Sequence, residues 1–233
     1  MNKTIIALTS VLLLVLSNFS FAQENNTIPS ILIIGVDNPG MNNRLPYLPG
    51  VKTEADSILA VTKGWKQKCL TGHDATLDNL ISSIKDIPNI LHISGHGFHI
   101  NYDEDLIMPL YSEEPLLLGE DRNNINKNAI FDISRLKEYI PKGIDFVVLS
   151  TNHSYLPSVI EALKEANVNS CLLTGWEVED YATQIFMTNF YKNYLGGMSK
   201  QQSLREAQKT VRETPGFSDP EYWAAFILLD ALN

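Results

Sequence analysis

The stretch Phe146-Val147-Val148-Leu149-Ser150-Thr151-Asn152 is an apolar run that passes directly into polar residues. An earlier run, residues 90–97, has the same form and ends with His96 between two glycines. Short apolar runs of this kind predict strands in the middle of a mostly parallel sheet. Because parallel strands end at one edge of a sheet, we expect His96 and Asn152 to lie close together, where open α/β sheets bind ligands.

Apolar runs alternate with stretches of helical period along the chain, which predicts one α/β domain with helices on both faces of the sheet. The five predicted core strands are residues 31–36, 65–70, 90–94, 145–149 and 170–175. The predicted helices are residues 51–62, 74–84, 133–139, 157–166, 180–195 and 199–213. A small hairpin and a loop are expected within residues 98–128, and a last strand within residues 220–229.

The first 22 residues have the composition of a secretory signal peptide. Lys3 provides the positive start, residues 5–16 are apolar, and Phe21-Ala22 precede a predicted cleavage before Gln23. The apolar run is short for a membrane span, and no second run follows it. We therefore predict an exported domain of residues 23–233, in a periplasm or outside the cell.

The charge of the chain argues against two classes of partner. The formal net charge is −9, and no cluster of lysine and arginine is long enough to neutralise several phosphates. Nucleic acid and anionic membranes are therefore not expected partners.

Several further segments occur in an order that is typical of one family. They are Leu45-Pro46-Tyr47-Leu48-Pro49-Gly50, Gly72-His73-Asp74-Ala75-Thr76, Leu91-His92-Ile93-Ser94-Gly95-His96-Gly97, Leu173-Thr174-Gly175-Trp176-Glu177-Val178-Glu179-Asp180, Phe190-Tyr191, Ala207-Gln208 and Pro220-Glu221-Tyr222-Trp223-Ala224-Ala225-Phe226. With these segments, residues 31–229 resemble the CHAT domain, a branch of the caspase, gingipain and separase group of cysteine peptidases. The resemblance implies a caspase-like fold in one domain.

The chain departs from that family at the nucleophile. The family pattern Val-Val-Leu-Ser-Ala-Cys is similar to residues 147–152, but Asn152 stands at the position of the cysteine. His96 matches the catalytic histidine. An amide cannot replace a thiolate, so the resemblance implies a pseudo-peptidase that binds a peptide or protein segment across the strand ends. The residues expected to contact that segment are Gly97, Ser150, Thr151, Trp176 and Asp180.

Besides the pseudo-peptidase, two other functional classes are considered. One is a hydrolase, with either a hydroxyl nucleophile or a bound metal, and the other is a purely structural exported domain. A hydroxyl of Ser150, Thr151 or Ser154 can act as nucleophile if His96 is an oriented base. A catalytic zinc can instead be held by His96, His99 and His153 with Asp103 or Glu104. The spacing of those residues matches no established ligand motif, so we expect no metal and no cofactor.

Other polar residues near the predicted site have simpler interpretations. His92 is expected to be a packed or hydrogen-bonded core histidine. The resemblance implies that Trp176, Glu177, Glu179 and Asp180 shape a pocket, whose acidic residues would favour lysine or arginine. Glu179 and Asp180 can instead cap the next helix, which we favour. The family strand order (second, first, third, fourth, fifth) places Cys69 and Cys171 four strands apart, roughly 19 Å at about 4.8 Å per strand. That distance is too long for a disulfide, so both are expected to be small core residues.

Overall fold

A six-stranded, mostly parallel sheet forms the centre of the computed structural model, which describes residues 28–38, 45–99, 106–112, 126–140 and 143–232. For Phe98, His99 and Ser134 the description covers the backbone only. The strands in chain order are β1 (Ser30–Val36), β2 (Lys66–Thr71), β3 (Ile90–Gly95), β4 (Phe98–His99), β5 (Leu106–Pro109), β6 (Ile130–Asp132), β7 (Phe146–Ser150), β8 (Ser170–Thr174) and β9 (Phe226–Asp230). The large sheet has the order β2-β1-β3-β7-β8-β9, and within it β9 alone is antiparallel. The α/β class and the order of the five core strands are confirmed.

Helices cover both faces of this sheet. They are α1 (Pro49–Val61), α2 (Leu77–Ile84), α3 (Leu136–Tyr139), α4 (Pro157–Glu165), α5 (Asp180–Leu195), α6 (Lys200–Glu213) and α7 (Pro220–Trp223). Alternate residues of each strand enter opposite cores because side chains in a strand alternate with a period of two. In β7, Phe146 and Val148 pack toward α1, α5 and α6, whereas Val147 and Leu149 pack toward α2 and α4.

Three predicted elements differ from the structure by more than small shifts of their ends. The predicted helix 74–84 begins later, because Thr76 is the N-cap of α2 and its hydroxyl accepts from the Asn79 amide at 3.3 Å. The predicted hairpin within residues 98–128 becomes a three-stranded antiparallel sheet, β4-β5-β6. The predicted last strand starts with helix α7, because Pro220 has the fixed φ that suits a first helical position.

The two cysteines lie on separate strands of the large sheet. Cys69 is on β2 and Cys171 is on β8, four strands away, and both thiols are free. Burial raises the pKa of Cys171 to about 12, so its thiol stays protonated. Cys171 is the buried core residue that was expected, whereas Cys69 is half-buried.

The predicted signal peptide, residues 1–22, lies outside the described residues. Within the described ranges, none of the helices has both the length and the apolar character that crossing a membrane requires.

Candidate functional site

His96 and Asn152 lie at the same height beyond the carboxyl ends of two neighbouring strands of the large sheet. Strands β3 and β7 pair in parallel with Ser94 opposite Ser150, so His96 and Asn152 each lie two residues beyond a paired position. The two strand ends also approach closely at Gly97, where an added Cβ would lie 3.1 Å from the Asn152 carbonyl oxygen. Glycine at this position therefore allows the segment after His96 to pack against the segment that contains Asn152.

A pocket of about 220 Å³ opens at this edge of the sheet. Five of the seven residues that the sequence places at the site line it: His96, Ser150, Thr151, Asn152 and Asp180. Gly97 lies beside the pocket, in the close contact described above. Trp176 lies outside the lining, and its indole N–H donates to the backbone oxygen of Glu221 at 2.9 Å.

The pocket is acidic. Glu54, Glu177, Glu179 and Asp180 line it, and none of the described residues that line it is lysine or arginine. Glu177, Glu179 and Asp180 belong to the segment that the sequence offers as an acidic pocket, whereas Glu54 on α1 was not predicted at the site.

The side chains of His96 and Asn152 each have a contact that holds them in place. The Nε2–H of His96 donates to the Pro46 carbonyl oxygen at 2.8 Å. The Oδ1 atom of Asn152 accepts from the Val178 amide at 3.4 Å. Both contacts bring loops over the strand ends, because Pro46 precedes α1 and Val178 precedes α5.

Asp180 joins the start of α1 to the start of α5. Its Oδ2 atom accepts from the Gly50 amide at 2.6 Å, at the positive end of α1. Burial raises the pKa of Asp180, and the Gly50 hydrogen bond and the nearby His96 oppose that rise. Glu179 is the N-cap of α5, as favoured from the sequence, through a 2.8 Å bond from the Ala182 amide. The expectation for Asp180 is corrected: its carboxylate binds the start of another helix.

The Gly50–Asp180 contact requires glycine at position 50. Alanine in a helix is normally more stable than glycine by about 1 kcal/mol. At position 50, however, a Cβ would lie 2.7 Å from Asp180 Cγ. We expect Gly50→Ala to lower the free energy of unfolding by about 1–3 kcal/mol, as for other overpacked sites, measured by urea denaturation.

Two further variants test the origin of that loss. Asp180→Ala in the Gly50→Ala background removes the clashing carboxylate and should recover part of the stability. Gly175→Ala is the matched control, because its Cβ would have ordinary contacts of 3.4 Å or longer. Equal stability of Gly50→Ala and wild type would contradict the contact.

A buried polar network lies under the pocket. His92 Nε2 lies 2.6 Å from Glu54 Oε1, and His92 Nδ1 lies 3.0 Å from the Tyr191 hydroxyl. The Ser150 hydroxyl donates to Glu54 Oε2 at 3.4 Å. Glu54, His92 and Tyr191 are almost completely inaccessible to solvent. Burial, followed by the charge of Glu54, raises the pKa of Tyr191 well above its usual range, so the phenol remains a donor.

This network connects three elements that form the site: α1 through Glu54, β3 through His92 and α5 through Tyr191. The expectation of a hydrogen-bonded core histidine at position 92 is confirmed. Glu54 and Tyr191 were missed, although the sequence contains a signal for Glu54. It lies on the same helical face as the buried Val51 and Ile58, where an acidic residue is unusual without a partner.

The hydroxyl groups near the site have different environments. Ser154 is fully buried, accepts from the Thr174 amide at 2.8 Å and donates to the Leu149 carbonyl at 3.2 Å. Ser154 therefore serves to hold the turn after β7. Ser150 points to Glu54, and the buried Thr151 Oγ1 has no hydrogen-bond partner among the described residues.

The histidines proposed for a zinc site are only partly described. Across the described ranges, no group of three or more potential ligands is arranged to hold a metal ion. His153 is exposed, whereas the His99 side chain, Asp103 and Glu104 lie outside the described part of the chain.

Comparison with solved structures defines the class of fold. The structure is similar to the Arg specific cysteine proteinase gingipain R, with a TM-score of 0.58 and 10% identity, over 91% of this chain and 49% of that chain. It is also similar to the complex of Porphyromonas gingivalis RgpB pro- and mature domains, with a TM-score of 0.54 and 9% identity, over 91% of this chain and 51% of that chain. At these identities the likeness shows a caspase-like gingipain fold.

Comparison of sequences then gives the family. The family model for the CHAT domain matches residues 2–231, so the chain belongs to the CHAT domain family. Tetratricopeptide repeat protein 28 of Mus musculus is 34% identical over 138 residues, which are 52% of this chain and 6% of that protein. Its Homo sapiens counterpart is 32% identical over 72 residues, 31% of this chain and 3% of that protein. The match thus spans a small part of these relatives.

Proposed function

We propose that this protein is an exported pseudo-peptidase of the CHAT family that binds a peptide or protein segment in the pocket at the strand ends. The observation that carries the proposal is the register of β3 and β7, which brings His96 and Asn152 into one pocket. Asn152 stands where the family has its cysteine nucleophile. An amide does not attack a carbonyl group as a thiolate does, so binding is the function that this pocket retains.

The charge of the pocket supports a basic ligand. Three accessible carboxylates line it, those of Glu177, Glu179 and Asp180, and a lysine or arginine side chain would form charge-assisted hydrogen bonds with them. The gingipain with a similar fold is described as Arg specific. We therefore propose that the bound segment places a lysine or arginine side chain in the pocket.

Binding of a small series of peptides in solution tests this function. Fluorescent peptides with a single central Arg, Lys, Leu or Glu are titrated with the purified protein, and Kd is measured by anisotropy. The Arg and Lys peptides should bind most tightly. His96→Ala should weaken them about tenfold, as expected for a residue at the centre of a contact, while His73→Ala, an exposed histidine outside the pocket, should not. Equal binding of all four peptides would contradict the proposal.

A hydrolase with a hydroxyl nucleophile or a metal-bound water is the competing function. Its support is the Ser150 hydroxyl, which lines the pocket and donates to the Glu54 carboxylate. Labelling of wild type, but not of Ser150→Ala, by a fluorophosphonate would favour the serine. Stoichiometric zinc after purification would favour the metal.

Export is part of the proposal because of the composition of residues 1–22. A mature chain that starts at Gln23, measured by mass spectrometry of the secreted fraction, would support it, and a retained Lys3 would oppose it.

A further inference from the structure

Four aromatic side chains form a partly exposed surface beside the pocket, and we call Trp176, Tyr181, Phe217 and Tyr222 the aromatic patch. Tyr181 is 56% exposed and Trp176 is 38% exposed. The Phe217 ring lies between two others, with its centroid 5.8 Å from that of Tyr181 and 5.1 Å from that of Tyr222. The indole N–H of Trp176 donates to the backbone oxygen of Glu221, which holds Trp176 against the segment that contains Tyr222.

Carboxylates surround the aromatic patch. Glu177, Glu179, Asp219 and Glu221 are all exposed. The hydrogen bond that the Tyr222 hydroxyl donates to the Glu221 carboxylate, followed by the charges of Glu221, Asp219 and Glu179, raises the pKa of Tyr222. These carboxylates come from the starts of two helices, α5 and α7, and act on the same phenol.

Cations are rare in the segments that form the patch. Residues 176–191 and 213–233 contain acidic residues but neither lysine nor arginine. Arg212 precedes the second segment, and its guanidinium lies over the ring of Trp223, 5.8 Å from the centroid. The patch itself thus combines exposed aromatic faces with negative charge.

This combination suits one chemical class of partner. Lysine and arginine side chains pack their apolar stems on aromatic rings, form cation–π contacts and pair with carboxylates. Glu177 and Glu179 also line the pocket, so the patch begins where the pocket ends. A segment that leaves the pocket on this side passes over the patch.

We propose that the aromatic patch binds a lysine- or arginine-containing stretch of a partner protein that flanks the residue held in the pocket. The inference rests on the proposed function, because one segment occupies both places. The pocket then binds a single basic side chain of the segment. The patch binds the lysine and arginine side chains that flank that residue in the same segment.

The test compares two fluorescent peptides of equal length. One alternates Arg with Ser, and the other has a single central Arg among Ser and Gly. Asp219→Asn/Glu221→Gln removes two charges at the patch without changing the pocket lining. We expect this variant to bind the Arg-rich peptide about tenfold more weakly than wild type, from two exposed ion pairs, and to bind the single-Arg peptide unchanged. Tyr181→Ser should weaken the Arg-rich peptide by a further factor of about three.

The matched control is Asp78→Asn/Glu161→Gln, which removes two exposed carboxylates from α2 and α4 on the opposite face of the sheet. An equal loss of affinity in this control would show that the effect comes from net charge alone. That result would contradict the proposed role of the patch. Unchanged affinity of the patch variant for the Arg-rich peptide would also contradict the proposal, while single-Arg binding that depends on His96 would still support the pocket.

The opposite result is loss of Arg-rich binding in the patch variant when wild type does not bind the single-Arg peptide. It would support the patch and contradict the proposed function. Self-association of wild type in sedimentation, abolished by the patch variant, would assign the surface to a second copy and overturn the proposal.

Discussion

Asn152→Cys is expected to produce a peptidase that cleaves after arginine or lysine. The register of β3 and β7 would place the new thiol beside His96, whose ring is oriented by the Pro46 carbonyl. A histidine that accepts the thiol proton generates the thiolate, which attacks the scissile carbonyl group. The substitution loses only the long 3.4 Å contact with the Val178 amide, so the fold should persist. Acid–base assistance is worth about 100- to 10,000-fold, and we expect a gain of at least the lower figure over wild type.

The measurement is cleavage of fluorogenic peptides with Arg, Lys or Glu before the reporter group. Asn152→Cys/His96→Ala should lose the gained activity, and Asn169→Cys, an exposed asparagine elsewhere, should never acquire it. Cleavage by wild type itself would contradict the pseudo-peptidase proposal and direct attention to Ser150. A folded Asn152→Cys protein without activity would show that the strand-end geometry is insufficient for catalysis.

His92→Leu is expected to destabilise the fold strongly. The substitution leaves the Glu54 carboxylate buried without its 2.6 Å partner. Leaving a buried polar group without its partner costs about 1–3 kcal/mol, and more for a carboxylate, because the group cannot be hydrated. We therefore expect a loss of this size in the free energy of unfolding from urea denaturation. Tyr191→Phe removes a single hydrogen bond to His92 and should cost about 1 kcal/mol.

The double variant Glu54→Leu/His92→Leu distinguishes an unpaired charge from lost packing. Replacing both members of a buried pair with apolar residues avoids the unpaired charge, so the double variant should be more stable than His92→Leu alone. A double variant that is less stable than His92→Leu would show that packing, and not charge, dominates at this place. If His92→Leu costs less than about 1 kcal/mol, water or rearrangement satisfies Glu54 and the network has no structural role.

The sequence was sufficient to predict the sheet and the place of the pocket. Strand positions follow from short apolar runs, and the adjacency of His96 and Asn152 follows from a general property of parallel strands. The strand positions depend on residues that are close in sequence, and the adjacency of His96 and Asn152 depends on the direction of the strands alone. For the same reason, the N-cap role of Glu179 could be predicted, since its partner Ala182 is three residues away.

Only the tertiary structure decided how the pocket is supported and charged. His92 meets Glu54 across 38 residues and Tyr191 across 99, and Asp180 reaches Gly50 across 130. These contacts exist because α1 and α5 pack side by side on one face of the sheet, and no local pattern specifies which side chains then meet. The short helix α7 could not be predicted either, because Tyr222 and Trp223 favour strand by propensity while Pro220 starts a helix. Local periodicity thus determines the elements, whereas long-range packing determines which polar groups become partners in the site.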